Sequence, residues 1–335
     1  MIELKNLTKS FLVKGQGERR RKRVMHAVKD VEFQWGTQEF VAIVGESGCG
    51  KSTLGRVIAG IMPPSEGDVL LDGNSTLKLN KQQRREWARV VQLIPQDPFA
   101  ALNPVRKISS LFADPLRYHG IATGSRVKQR TAELLDLVGL EPSNVMNKYP
   151  HQLSGGQRQR IVVARALTVN PRYLIADESV SMVDVSLRIG IMDKMKAIAR
   201  ERELGLLFIT HDFRVARYIA QNGRIAVMYL GRIVEIGPTE EVLQNPQHPY
   251  TQALISAVPV LEGREQRVTL IEPRNYELTS EVSHEGCAFE PRCPFATESC
   301  RTKSPDLLEV SKSHGVACHY ATPRRMVERE NNAMV

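Results

Sequence analysis

No run in the 335 residues approaches the roughly 18 to 20 consecutive apolar residues needed to span a bilayer. The start, Met1-Ile2-Glu3-Leu4-Lys5, lacks a basic stretch followed by an apolar core, so no secretory signal is visible. The expectation is a chain that stays in the cytosol; if it serves transport, other subunits supply the channel. Internal repetition is also absent, which argues against two fused copies of one domain. Cysteine is scarce. Cys49 stands alone, while Cys287, Cys293, Cys300 and Cys318 gather near the C-terminus. In a reducing compartment such a group reads as metal ligation before it reads as disulfides. Acids are outnumbered, 37 against 46 Lys and Arg, for a formal net charge of +9. That excess favours a polyanion in general, whether nucleotide, nucleic acid or acidic lipid, and does not choose among them.

What is present is ordinary for a soluble globular chain: 42% hydrophobic and 25% charged residues. The length allows one large domain with a smaller appendage. Ile2 to Leu7 alternates as a strand does, and Phe40-Val41-Ala42-Ile43-Val44 is a buried-strand run bounded by Gly45. Between them Lys14 to Arg23, with its basic run Arg19-Arg20-Arg21-Lys22-Arg23, reads as a loop, either solvated or touching acidic headgroups or a partner. A helix should start near Lys51 and run to about Ile61, before Pro63-Pro64. Ser65 to Asp68 reads as a turn and Val69-Leu70-Leu71 as a short strand. The stretch from Arg106 to Tyr149 is largely helical. Tyr173 to Ala176 and Leu206 to Ile209 are apolar strands on either side of a helix, Leu187 to Arg202. This alternation predicts an α/β domain with a mainly parallel sheet. After Gly237 the pattern loosens and prolines recur, so a small separate unit is expected from about residue 260.

Gly45-Glu46-Ser47-Gly48-Cys49-Gly50-Lys51-Ser52, followed by Thr53, fits the phosphate-binding P-loop, with the required strand before it and helix after it. Glycines let the backbone curl so that N–H groups point at phosphate oxygens, and the helix N-terminus adds its positive dipole end. Lys51 should reach the β- and γ-phosphates, and Ser52 should offer a hydroxyl to Mg²⁺. Cys49 reads as a small residue presenting its amide, although a thiol so placed could also be reactive. Asp177 and Glu178 close the apolar strand from Tyr173. Acids at that strand end face the ligand crevice of a parallel sheet, Asp177 towards Mg²⁺ and Glu178 as general base. Ser154-Gly155-Gly156-Gln157, after Leu153, precedes a helix from Arg158 to Leu167. Ser154 is a candidate N-cap and the glycines leave the helix start open to an anion. One domain rarely needs two phosphate sites for one nucleotide, so the second should meet a nucleotide held by a partner.

With these motifs in order, residues 1 to 260 resemble the nucleotide-binding domain of ABC transporters. The resemblance implies that Phe11 stacks on adenine. It implies that Gln96 senses Mg²⁺, the attacking water and the membrane subunit. Leu153 to Gln157 corresponds to the signature motif, Ser181 to Asp184 to the loop crossing the dimer interface, and His211 to the switch histidine at the γ-phosphate. Ser179-Val180 and Met182-Val183 depart from the family's usual residues. Three segments are similar to the oligopeptide/dipeptide importer subfamily: Gln96 to Pro104, His248 to Leu254 with Ser256 to Pro259, and Gly286 to Cys318. The implied division is an ABC domain over 1–259, with a helical subdomain at about 97–165, and a four-cysteine region over 260–335. The implied function is an ATPase that powers import of a peptide or related solute such as an oligosaccharide. Its implied cofactors are ATP and Mg²⁺. Its implied partners are a second ATPase in a heterodimer, two permeases and an extracytoplasmic binding protein, at the cytoplasmic face of the membrane and without nucleic acid. Thiolates suit zinc or an iron–sulfur cluster, and the lack of short CxxC pairs together with the resemblance favours [4Fe–4S]. A soluble ABC-class ATPase of translation or DNA repair is the rival; the basic charge suits it, but the transporter-like tail does not.

Overall fold

Apolar and polar residues alternate at the N-terminus, so the first element is a strand with one buried face: Ile2 and Leu4 are almost fully buried. A computed structural model describes residues 1–14, 22–77, 79–257 and 285–321. Strand β1 (Ile2–Lys14) pairs antiparallel with β2 (Lys22–Trp35), setting Ile2 opposite Trp35. The register slips between Leu4 and Leu7, where alternation fails. The loop expected between these strands falls largely on residues 15–21, outside the described residues; Lys22 and Arg23 already belong to β2. Strand β3 (Phe40–Val44) is buried throughout and leads to the glycine-rich loop and α1 (Lys51–Ile58). The helix stops three residues before Ile61. Gly60 has φ +71, and a Cβ there would meet the Trp87 ring at 2.8 Å, so it serves as the stop signal.

Two compact units divide the chain, Met1–Val41 with Lys51–Thr210, and Ala42–Gly50 with His211–Val335. In the first, β4 (Glu66–Leu71) and β5 (Asn74–Ser75) complete an antiparallel sheet in the order β2-β1-β4-β5. Helix α2 (Lys81–Val90), reciprocally capped by Asn80 and Gln83, feeds β6 (Val91–Ile94). Then follow α3 (Pro98–Ala101), α4 (Ile108–Tyr118), α5 (Ser125–Leu137), α6 (Pro142–Val145) and α7 (Gly155–Ala166). Strand β7 (Tyr173–Asp177), helix α8 (Val185–Glu201) and strand β8 (Gly205–Thr210) end the unit. Strands β6, β7 and β8 are parallel, with Ile94 opposite Ala176 and Asp177 opposite Ile209. The apolar runs of β7 and β8 are continuous because such strands are covered on both faces.

The second unit carries α9 (Phe213–Ile219), β9 (Arg224–Tyr229), β10 (Arg232–Pro238), α10 (Thr239–Gln244) and α11 (Pro249–Ser256). After the undescribed residues 258–284 come α12 (Glu298–Thr302), β11 (Leu308–Ser311) and β12 (His314–Val316). Strand β12 pairs antiparallel with β10 and with β11. Val44, Phe213, Val227, Tyr229, Tyr250 and Phe289 share one core. The expected α/β class stands, yet antiparallel pairing is more extensive than the apolar runs suggest. Strands such as β2, with Lys29, Asp30 and Glu32 among its residues, keep polar positions along their length and lack the continuous apolar signal. Val258, Pro259 and the expected boundary at 260 lie outside the described residues. Among the described residues no helix is long and apolar enough to cross a membrane.

Candidate functional site

The parallel register assembles the acids. Gln96 and Glu178 each follow, by two residues, the paired positions Ile94 and Ala176, so both emerge at one end of neighbouring strands. Gln96 Nε2 donates to Glu178 Oε2 at 3.0 Å. Glu178 adopts φ +43, rare for a residue with a Cβ, and its amide is held by the Ile209 carbonyl at 2.9 Å. Ser181 Oγ donates to the Glu178 carbonyl at 2.8 Å, pinning the turn from the other side. Asp177 is 2% exposed and accepts from Ser52 Oγ at 2.7 Å. Burial pushes its carboxyl above the ordinary range, and the Ser52 hydroxyl opposes that shift. Two oxygen donors meeting at a buried carboxylate are a fitting pair for a hard cation such as Mg²⁺.

The loop that precedes Ser52 is shaped by its glycines: Gly48 has φ +81 and Gly50 φ +107. Lys51 begins α1 and is 4% exposed, with Thr53 in the same turn. Within the second unit, a Cβ on Gly45 would meet the Met228 carbonyl oxygen at 2.2 Å, and Gly231 N–H donates to the Cys49 carbonyl at 2.8 Å. The loop backbone thus lies directly on the β9–β10 hairpin. Cys49 is buried, which supports its reading as a small structural residue.

Ser154 caps α7 as its sequence suggests: its Oγ accepts from Gln157 N–H at 3.2 Å and Gln157 Oε1 accepts from Ser154 N–H at 3.0 Å. Gly155 and Gly156 form the first turn. The Arg158 guanidinium lies 4.0 Å from the Phe99 ring centre, and Arg165 Nη1 donates to the Ala101 carbonyl at 2.6 Å. Helix α7 is therefore fastened to the segment just after Gln96. Phe11 lies on β1 opposite Met25, with the Lys9 ammonium 5.4 Å from its ring. His211 follows β8, and Asp212 caps α9 by accepting from Arg214 N–H at 2.8 Å.

Ser179 occupies one of the positions that depart from the usual ABC pattern. Its hydroxyl is buried with no hydrogen-bond partner among the described residues. An unsatisfied buried hydroxyl costs about 1–3 kcal/mol, so Ser179→Ala is expected to raise stability by about 1 kcal/mol. Urea unfolding would read this as a higher midpoint; a lower midpoint would show the hydroxyl to be paired.

The four tail thiols come together. Cys287, Cys293, Cys300 and Cys318 line one cavity of about 20 Å³, with Phe289 and His319 beside them. Burial pushes the Cys287 thiol up to about 12. Yet no three His, Cys, Asp or Glu side chains among the described residues converge as a single-ion site would require.

Residues 28–181 match the ABC transporter family, and residues 234–300 match the C-terminal region of oligopeptide/dipeptide transporters. The oligopeptide transport ATP-binding protein AppF of Bacillus subtilis is 41% identical over 325 residues, covering 95% of this chain and 97% of that protein. The oligopeptide transport ATP-binding protein OppF of Haemophilus influenzae is 40% identical, covering 95% and 96%. The chain belongs to the ABC transporter ATP-binding proteins of the oligopeptide/dipeptide type. Among solved structures, a dimeric ATP-binding cassette in a post-hydrolysis state bound to ADP and Pi superposes with a TM-score of 0.62 at 31% identity. The match covers 71% of this chain and 99% of that one. As an ABC ATPase, the chain hydrolyses ATP.

Three residues near the loop carry little individual signal in the sequence. Glu46 has little of its own inside its motif, Tyr250 falls in a segment similar to the oligopeptide/dipeptide importers, and Arg292 merely adjoins Cys293. The structure joins them: Arg292 grips the Glu46 carboxylate and Tyr250 Oη accepts from Glu46 N–H. A charged residue inside a P-loop that needs no side chain there was the one available signal.

Proposed function

We propose that this ABC ATPase powers import of a peptide, or of a related small solute such as an oligosaccharide, at the cytoplasmic face of a membrane. Its partners are a second ATPase in a heterodimer, two permeases and an extracytoplasmic binding protein. The assignment of residues 1–259 to the ATPase and 260–335 to a tail region is part of the same proposal. The observation that carries the catalytic reading is the pair of contacts at the ends of β6 and β7, Ser52 to Asp177 and Gln96 to Glu178. Backbone N–H groups of Gly48 to Ser52 cradle phosphate oxygens, and Lys51 adds a positive charge. Ser52, Asp177 and Gln96 would hold Mg²⁺, which supplies charge neutralisation at the phosphates when bound. Glu178 takes a proton from the attacking water, while Gln96 orients both. His211 contacts the γ-phosphate, Phe11 stacks on the base, and Ser154 to Gln157 serve the partner's nucleotide. Most of the rate gain is positioning and charge stabilisation.

A pull-down from detergent-solubilised membranes tests the assignment. Two permeases and a second ATPase among the co-purifying proteins support it; ribosomes or nucleic acid without permeases overturn the transport reading.

The tail thiols support a [4Fe–4S] cluster over mononuclear zinc. Cys287, Cys293, Cys300 and Cys318 line one cavity, the four thiols that would hold such a cluster. The cluster would supply four metal–thiolate links across a small unit. Anaerobically purified protein is expected to hold about four iron and four sulfide per chain. Cys293→Ser should lower both and remove the visible absorption. About one zinc per chain without sulfide would replace this reading.

A further inference from the structure

Glu46 is the sole acid of the loop Gly45 to Ser52 and stands next to its first glycine. Its backbone cannot simply swing it clear: Gly45 is pressed on the Met228 carbonyl, and Glu46 N–H is held by Tyr250 Oη at 3.0 Å. A fixed carboxylate in such a loop opposes the approach of a polyphosphate. The structure supplies a counter-charge from 246 residues further along the chain. Arg292 Nη1 and Nη2 donate to the two Glu46 oxygens at 2.9 and 3.0 Å, a two-pronged pair. The Arg292 side chain is 8% exposed and its guanidinium lies 5.7 Å from the ring centres of Tyr229 and Phe289. Those rings pack against Tyr250, so one aromatic group holds both the arginine and the hydroxyl that binds the loop amide. Arg292 ends a single helical turn, Glu290–Arg292, immediately before Cys293.

We propose that Arg292, provided by the cysteine-bearing tail, is a positioning residue for the phosphate loop: by neutralising and anchoring Glu46 it makes the loop ready to receive nucleotide. The tail thereby acts on the loop segment that carries Glu46 rather than standing apart from it. This rests on the reading of Gly45 to Ser52 as the phosphate loop.

The test uses the full-length protein in its assembled transporter, with steady-state ATP turnover, binding of a fluorescent ATP analogue with Mg²⁺, and thermal unfolding as a check of the fold. Arg292→Met leaves the Glu46 charge without this two-pronged cation. It is expected to weaken nucleotide binding and raise KM about tenfold, with kcat at saturating ATP within about twofold of the parent. Glu46→Gln with Arg292→Met removes both charges and is expected to recover most of that loss, and Arg292→Lys part of it. A purely structural arginine would give no recovery when its partner is neutralised. Should Arg292→Met fail to fold, Glu46→Gln alone and the double variant read the same coupling: equal affinities near the parent support the proposal. Wild-type affinity in a folded Arg292→Met, or a double variant as weak as the single one, overturns it. Lys51→Ala separates the underlying reading. Loss of nucleotide binding there upholds the phosphate loop, and unchanged binding removes it together with the role of Arg292.

Discussion

Glu178→Gln is expected to lower kcat by about a thousandfold while leaving ATP binding intact. An amide matches the carboxylate in size and still meets Gln96, 3.0 Å away, but it cannot accept a proton from water. The backbone at φ +43 is unaffected, because the strain belongs to any residue with a Cβ. Binding should survive because, on the proposed reading, the loop amides and Lys51 meet the phosphates. A nucleotide-loaded, closed pair of ATPases should then accumulate, visible by size-exclusion chromatography with Mg-ATP. Turnover near the parent level would remove Glu178 from the chemistry and leave Gln96 without a catalytic partner.

Glu235→Ala should be the most damaging single change to the second unit. Glu235 is fully buried on β10, and its carboxylate accepts from Gln247 N–H at 2.8 Å and His248 N–H at 3.0 Å. His314 Nε2 lies 2.8 Å from the same group. Three polar groups would be left without an acceptor in a site closed to water. Together their cost is roughly 4 kcal/mol, or a melting point lower by roughly 10 °C. Because the same carboxylate seats the start of α11, the loss should extend to Tyr250 and its hold on Glu46. Burial pushes the His248 imidazole down to about 4, so its neutral Nδ1 is free to accept from Tyr250 N–H at 3.0 Å. Glu235→Gln keeps one acceptor and should lose less. A melting point within about 2 °C of the parent for Glu235→Ala would show that those donors find other partners.

The contrast between these two residues explains what could be read beforehand. Glu178 belongs to a local signal: an apolar strand, then two acids, with a P-loop earlier in the chain. Each part of that signal spans fewer than ten or so residues, the range over which strand, turn and helix preferences act. Glu235 sits in Arg232-Ile233-Val234-Glu235-Ile236, where a charged residue on a strand suggests solvent. It is buried because β12, some 79 residues later, lies on β10 and brings His314 against it. Antiparallel strands such as β2 and β10 are weakly marked in the sequence for a related reason: their polar positions interrupt the apolar run that marks a strand buried on both faces.

The α/β class, the strand–loop–helix context of Gly45 to Ser52, the acids at the end of β7, the capping of α7 by Ser154 and the grouping of the cysteines were all legible in the order of residues. All of these depend on neighbours a few residues apart, where backbone hydrogen bonding and glycine conformation act directly. The packing of distant segments sets Gln96 against Glu178, gathers four thiols in one cavity, makes Glu235 an internal acceptor and brings Arg292 to Glu46. Those pairings join segments from 12 to 246 residues apart. Burial of the intervening core chooses them, and such long-range packing leaves little trace in the local order of residues.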